Sequence, residues 1–140
     1  MKAKRSSAIA RYYLAGLLGL MALGQLLSWQ DFTSIVGTYG QGDAITAVLA
    51  PLLTGLEIFA AIGLLQPRMQ VRRWAAYAAL TVTLLWALLA VQAFARGLTL
   101  DNCGCFGRFL GQPLRWWILL EDAAFVALAV YVWRRLIRRS

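Results

Sequence analysis

A chain of 140 residues has room for one domain, and this one is 61% hydrophobic and only 14% charged. Soluble domains carry roughly 25% charged residues, so the composition argues against a soluble protein and makes the lipid bilayer the expected partner. The net charge of +8 sits mostly in three basic clusters that flank apolar runs, namely Lys2, Lys4, Arg5 and Arg11, then Arg68, Arg72 and Arg73, then Arg134, Arg135, Arg138 and Arg139; this is not a nucleic-acid-binding face, and no nucleic-acid partner is expected.

A helix that crosses the hydrocarbon core needs about 20 mostly apolar residues. Four stretches meet this, roughly 9–28, 44–66, 74–95 and 114–133, the last a short one. The expected fold is all-α: an antiparallel bundle of four membrane spans, residues 1–140 forming a single membrane domain. Four spans bring the three basic clusters to one face, and the other face keeps only Arg96, Arg108 and Arg115. The positive-inside rule then puts both chain ends in the cytoplasm and the loop 96–113 outside, in the periplasm if the membrane is the inner membrane of a bacterium. A secretory signal is the rival reading of the first segment, with Lys2 to Arg5 as its charged region and Ala22-Leu23-Gly24 as a cleavage site. The apolar stretch is long for that, and cleavage leaves three spans, so the segment is read as a span.

In the first span the small residues Ala15, Gly16, Gly19 and Gly24 suit close helix packing. Gln25, near the external end, either bonds to a neighbouring helix or faces the headgroups. The external stretch 29–43 has no Lys or Arg and places Trp29, Phe32, Ile35, Val36 and Tyr39 at near-helical spacing. A short amphipathic helix over the mouth of the bundle is expected there, ended by Gly40-Gln41-Gly42. The second span holds Pro51, a kink or a first-turn residue, and Glu57. An acid inside a span is costly and usually has a partner in the protein interior. Glu57 is read either as a proton carrier or quinone contact, or as a buried hydrogen bond that fixes packing.

The third span carries Thr81, Thr83, Trp86 and Gln92; the threonines are expected to bond back to their own helix. The fourth is expected to start at Pro113, with Trp116, Trp117 and Trp133 as interfacial anchors. Glu121 and Asp122 are adjacent, and neighbours on a helix point about 100° apart, so at most one faces the bundle centre.

The external loop holds the chain's two cysteines, in Asp101-Asn102-Cys103-Gly104-Cys105-Phe106-Gly107, and the chain has no histidine. In an oxidising compartment two such thiols tend to pair. A disulfide across one intervening residue closes too small a ring to stabilise much, and strained exposed disulfides exchange readily. Gly104 and Gly107 give the backbone the freedom such a ring needs. Arg108 and the start of the last helix favour a thiolate, more at Cys105 than at Cys103. Exchange at Cys103 and Cys105 is the favoured reading, with Asn102, Arg108, Glu57 and Asp122 in support. A static staple is the alternative; a metal site lacks histidine ligands and could form only between chains, so none is expected.

The run Cys103-Gly104-Cys105-Phe106-Gly107, with Glu57 and Gly63 in the second span and Arg11, Gly16 and Gly24 in the first, resembles the MauE branch of the DoxX-like membrane proteins. The resemblance covers nearly the whole chain. It implies a four-helix membrane protein serving periplasmic disulfide chemistry, with a thioredoxin-like partner, in the maturation of methylamine dehydrogenase. Gln25 stands where such proteins often have Lys. Glu121-Asp122 stands where the last span often has Arg followed by Asp or Asn, which leaves Glu57 without an Arg partner. The expected function is that of a membrane thiol–disulfide oxidoreductase. One cysteine attacks or is attacked, the other resolves, and a second electron carrier, such as a quinone, completes turnover although no motif indicates one. The rivals are a non-catalytic assembly factor with a structural Cys-Gly-Cys disulfide, and a small transporter using Glu57 and Asp122.

Overall fold

The computed structural model describes residues 2–109 and 111–139; Met1, Leu110 and Ser140, which fall within the expected domain, lie outside them. Five helices run in the order α1 (Lys2–Leu27), α2 (Trp29–Gly37), α3 (Asp43–Leu65), α4 (Met69–Ala95) and α5 (Trp116–Ile137), and no strand occurs among the described residues. Of these, α1, α3, α4 and α5 are long and apolar enough to cross a membrane. They form the expected antiparallel bundle. The basic segments meet at one end, where Arg139 donates to Ser7 at 3.2 Å, and the cysteine loop lies at the other.

Helix α4 packs extensively on both α3 and α5, and α1 packs chiefly on α3. Small residues make this possible. The buried face of α4 includes Ala75, Ala76, Ala78 and Ala79, and a Cβ on Gly63 of α3 would stand 2.6 Å from the Ala75 Cβ. Arg11 of α1, nearly buried, donates to the carbonyl of Leu64 in the last turn of α3, where free carbonyls favour a cation. The outward faces carry large apolar side chains such as Ile62, Leu88 and Trp74, as contact with lipid requires.

Helix α2 is the expected amphipathic segment, and it docks onto protein. Phe32 and Val36 are fully buried, Tyr39 just beyond is nearly so, and the helix packs mainly on α3. Thr81 and Thr83 bond back to Tyr77 and Ala79 of their own helix, as expected. Pro51 lies inside α3 on an exposed face, not in its first turn. Pro113 precedes α5 by three residues and does not start it. The reason is a stem in the loop: Leu114 donates its N–H to the Leu100 carbonyl at 2.9 Å, and Cys103 donates to the Gln112 carbonyl at 2.9 Å. These bonds hold the approach to α5 extended until Arg115.

Candidate functional site

The cysteine loop is a set of tight turns pressed onto the bundle. Asn102 organises it as an Asx turn: its Oδ1 accepts from the Gly104 N–H at 2.9 Å, and its Nδ2 donates to the Gly107 carbonyl at 3.0 Å. Gly104 and Gly107 both have positive φ, +85° and +65°, which only glycine adopts cheaply. Space demands glycine as well. A Cβ on Gly104 would lie 2.7 Å from Ile35 Cγ2 of α2, and one on Gly107 would lie 2.6 Å from the Gly24 carbonyl oxygen. Gly24 answers from α1: a Cβ there would run into the backbone carbonyl of Phe106. Of the small residues read in the first span, Gly24 is the one that the loop requires; Gly16 has open space around it. Ser28 completes the seam, donating to the Gly24 carbonyl at 2.7 Å and accepting from the Arg108 N–H at 3.2 Å.

Both cysteines are free thiols and buried, 4% and 7% exposed, with the two sulfur atoms 3.8 Å apart. The carbonyl of each is held by a buried side chain. Tyr39 donates its hydroxyl to the Cys103 carbonyl, and Gln25 donates its Nε2 to the Cys105 carbonyl at 2.7 Å. Burial pushes the Tyr39 phenol well up, so it stays a donor at any physiological pH.

Gln25 and Glu57 connect the loop to the spans. Gln25 is fully buried and bonds to neighbouring elements, which settles its expected alternatives. Its Oε1 accepts from Thr54 at 2.6 Å, and its Nε2 also lies 3.2 Å from Glu57 Oε1. Trp86 of α4 donates its indole N–H to the same Glu57 oxygen at 2.7 Å. Glu57 is completely buried, and its Oε2 has no hydrogen-bond partner among the described residues. Glu57 is thus held by two neutral donors, Gln25 and Trp86, and forms no ion pair with an Arg among the described residues. Of the adjacent acids Asp122 is the inward one, 5% exposed, and Glu121 is half-buried. Asp122 and Cys105 line one small cavity between α1, α4 and α5.

The thiols are ordered the opposite way from the sequence expectation. Cys103 is held below the ordinary cysteine range, first because the Cys105 thiol can donate to its sulfur. Cys105 is pushed up, first by that same shared hydrogen, then by burial and by the charge on Cys103, Asp122 and Glu57. The expected cation is engaged elsewhere. Arg108 is exposed and lies 3.4 Å from Asp31 of α2, an ion pair on the outer surface. Asn102, Glu57 and Asp122 do gather around the thiol loop. Tyr39, Thr54 and Trp86 were not foreseen as site residues. The one signal for them was Trp86, a tryptophan deep in a span whose N–H needed an internal acceptor.

The fold and this site define a multi-pass helical membrane protein with a buried dithiol loop docked over an intramembrane acid. Residues 3–135 match the family described as Methylamine utilisation protein MauE, and the chain belongs to that family. It is 32% identical over 123 residues to the Methylamine utilization protein MauE of Paracoccus denitrificans. That alignment covers 87% of this chain and 65% of the relative's length, just under two thirds of it. No solved structure matches the chain significantly.

Proposed function

We propose that this protein exchanges disulfides through Cys103 and Cys105 with a thioredoxin-like or maturing periplasmic partner, from the inner membrane of a bacterium. The observation that carries the reading is the pair of free thiols 3.8 Å apart, placed by a loop whose turns, glycines and carbonyl donors all serve to hold them there. Little but a thiol-to-thiol reaction needs two sulfurs so positioned in a loop that gains almost nothing from a cross-link. The basic end then faces the cytoplasm and the cysteine loop the periplasm. Membership in a methylamine utilisation family supports a setting in methylamine utilisation, and the partner in this reading is a protein with disulfides to form or reshuffle.

Cys103 is the sulfur that meets the partner in this scheme, since its thiol is the one held low, and Cys105 resolves. Both are buried, so a protein partner must lift the loop edge to reach Cys103. Asn102, Tyr39 and Gln25 return it to one geometry, and Glu57 anchors Gln25. The test is a trap. Cells carrying Cys105→Ala are acid-quenched and run on a non-reducing gel. A reductant-sensitive adduct on Cys103 is expected, with much less from Cys103→Ala. Equal adducts from both variants remove the assigned roles. No adduct from either, with a wild-type disulfide that resists mild reductant, favours a second reading that the burial of the thiols also suits, a static staple in an assembly factor.

A further inference from the structure

We propose that Asp122 carries the proton that the Cys105 thiol gives up and takes back during exchange, a role that rests on the exchange reading above. Cys105 shares with Asp122 a cavity of about 10 Å³, also lined by Met21, Thr83 and Trp86, and Cys103 does not line it. That is room for about one water molecule, so a proton passes between the thiol and the carboxyl directly or across one water.

The surroundings single out Asp122. It is 5% exposed and forms no ion pair among the described residues. The titratable groups that face it are few. The loop brings Cys103 and Cys105, the α2–α3 connection brings Tyr39, and its own helix brings Glu121. Helices α1 and α4 contribute no titratable side chain to the cavity. Tyr39 already spends its proton on the Cys103 carbonyl. Glu57 does not line the cavity, and its Oε1 is taken by Gln25 and Trp86. Arg108, which could have stabilised a thiolate, is paired with Asp31 on the outer surface. A leaving sulfur at Cys105 therefore has no cation beside it and needs a proton.

The step balances as follows. The thiolate of a dithiol partner attacks Cys103 Sγ of the Cys103–Cys105 disulfide. The S–S bond breaks, its electron pair stays on Cys105 Sγ, and the Asp122 proton moves to that sulfur. The partner's second thiol then attacks the mixed disulfide and releases Cys103 as a thiolate, and the proton it gives up restores Asp122. The partner leaves oxidised to a disulfide, and the loop is left reduced, Cys105 as a thiol and Cys103 as a thiolate. In the reverse direction the same proton leaves Cys105 for Asp122.

The experiment uses the full chain in lipid nanodiscs, oxidised first, with dithiothreitol as the dithiol. Free thiols are counted by acid quench and maleimide mass tagging between about pH 6 and pH 9, and each rate is divided by the dithiothreitol thiolate concentration. The normalised wild-type rate should fall as pH rises, because Asp122 loses the proton that it donates. Asp122→Asn should be at least about tenfold slower at the acidic end and flat across the range. Asp122→Glu should restore a falling profile. An Asp122→Asn protein with the wild-type rate, or a slow one whose profile keeps the wild-type shape, overturns the proposal. So does a flat wild-type profile, which needs no variant to fold. A wild-type chain that forms no disulfide, or whose disulfide dithiothreitol cannot reduce, takes down the exchange reading itself, which is a different result.

Discussion

The two ends of the bundle are held together by different means. At the basic end the helices approach through missing side chains: Gly63 lets α4 in until a Cβ would collide with Ala75, and Arg11 closes on the last turn of α3. At the cysteine end the chain leaves the helix and stays buried. A buried backbone group that is not in a helix or sheet needs some other partner. Here the carbonyl of Cys103 takes Tyr39 and that of Cys105 takes Gln25, which leans on Glu57, Thr54 and, through Glu57, Trp86. Close packing suffices where the backbone satisfies itself. Where it cannot, directional side chains fix the geometry as well as the stability, and that is the end at which the two thiols lie.

The sharpest test of this contrast sets one glycine at each end against the other. In Gly24→Ala the new methyl meets the Phe106 backbone carbonyl, which cannot step aside without moving the loop. Maleimide labelling of Cys103 and Cys105 in folded protein should rise by at least about tenfold, since local opening of only about 1.4 kcal/mol suffices for that, and disulfide exchange with a dithiol should be lost. In Gly63→Ala the methyl meets the Ala75 side chain, and overpacking should cost about 1–3 kcal/mol in the thermal melt with thiol labelling unchanged. If Gly63→Ala exposes the thiols as strongly as Gly24→Ala, the two ends are one cooperative unit and the contrast fails.

A smaller effect is expected from Trp86→Phe. The ring contacts with Phe32 and Tyr39 can persist, but Glu57 loses its 2.7 Å donor. Leaving a buried carboxyl short of a partner costs about 1–3 kcal/mol, measurable as a shift in the denaturation midpoint. The loop should loosen with it, because Gln25 is then the sole side chain bonded to Glu57. Unchanged stability would mean that the indole and carboxyl contribute no net energy to the cysteine end.

The thiols give a finer, pH-resolved prediction. Cys105 lowers Cys103 by offering its hydrogen to the Cys103 sulfur, so Cys105→Ala removes that help and Cys103 moves back up. At a given neutral pH less of Cys103 is then thiolate, and its alkylation by iodoacetamide should slow, with the midpoint of the rate–pH curve displaced to higher pH. Cys105 in Cys103→Ala should move the other way, because the hydrogen it shared and the negative charge beside it are both gone. Midpoints that stay put in both variants would mean that the sulfurs do not share a hydrogen.

Much of this was legible in the sequence because it is local. Apolar run length marks the spans, the spacing from Trp29 to Tyr39 marks α2, and an acid such as Glu57 in an apolar run announces a buried site. The geometry of adjacent helical residues already required that Glu121 and Asp122 diverge. What stayed hidden is register. Gln25 and the Cys105 carbonyl are 80 positions apart, and Trp86 and Glu57 are 29 apart on different helices. Nothing in either segment says how far one helix slides along the other, so the donors of Glu57 could not be named. Pro113 misled for a related reason: its helix-start signal is local, and the stem between Leu100 and Leu114 overrides it.

Arg108 is the case in which nearness in sequence is most misleading, and it carries the smallest expected effect. It follows the cysteines by three and five positions, and on charge alone it should draw a thiolate. Yet its N–H is fastened to Ser28, its side chain runs outward past the Phe109 ring, and its guanidinium meets Asp31, with both partners more than half exposed. An exposed pair of this kind contributes less than about 1 kcal/mol and is screened by salt. Arg108→Ala keeps the backbone N–H that bonds Ser28 and leaves the sulfur pair, Tyr39 and Gln25 untouched. The pH midpoint of Cys103 alkylation should therefore not move, and the melt should shift only slightly. A midpoint displaced to higher pH in Arg108→Ala would restore the arginine as the electrostatic partner of the thiols, and the cysteine end would then be governed by charge as well as by hydrogen bonds to its carbonyls.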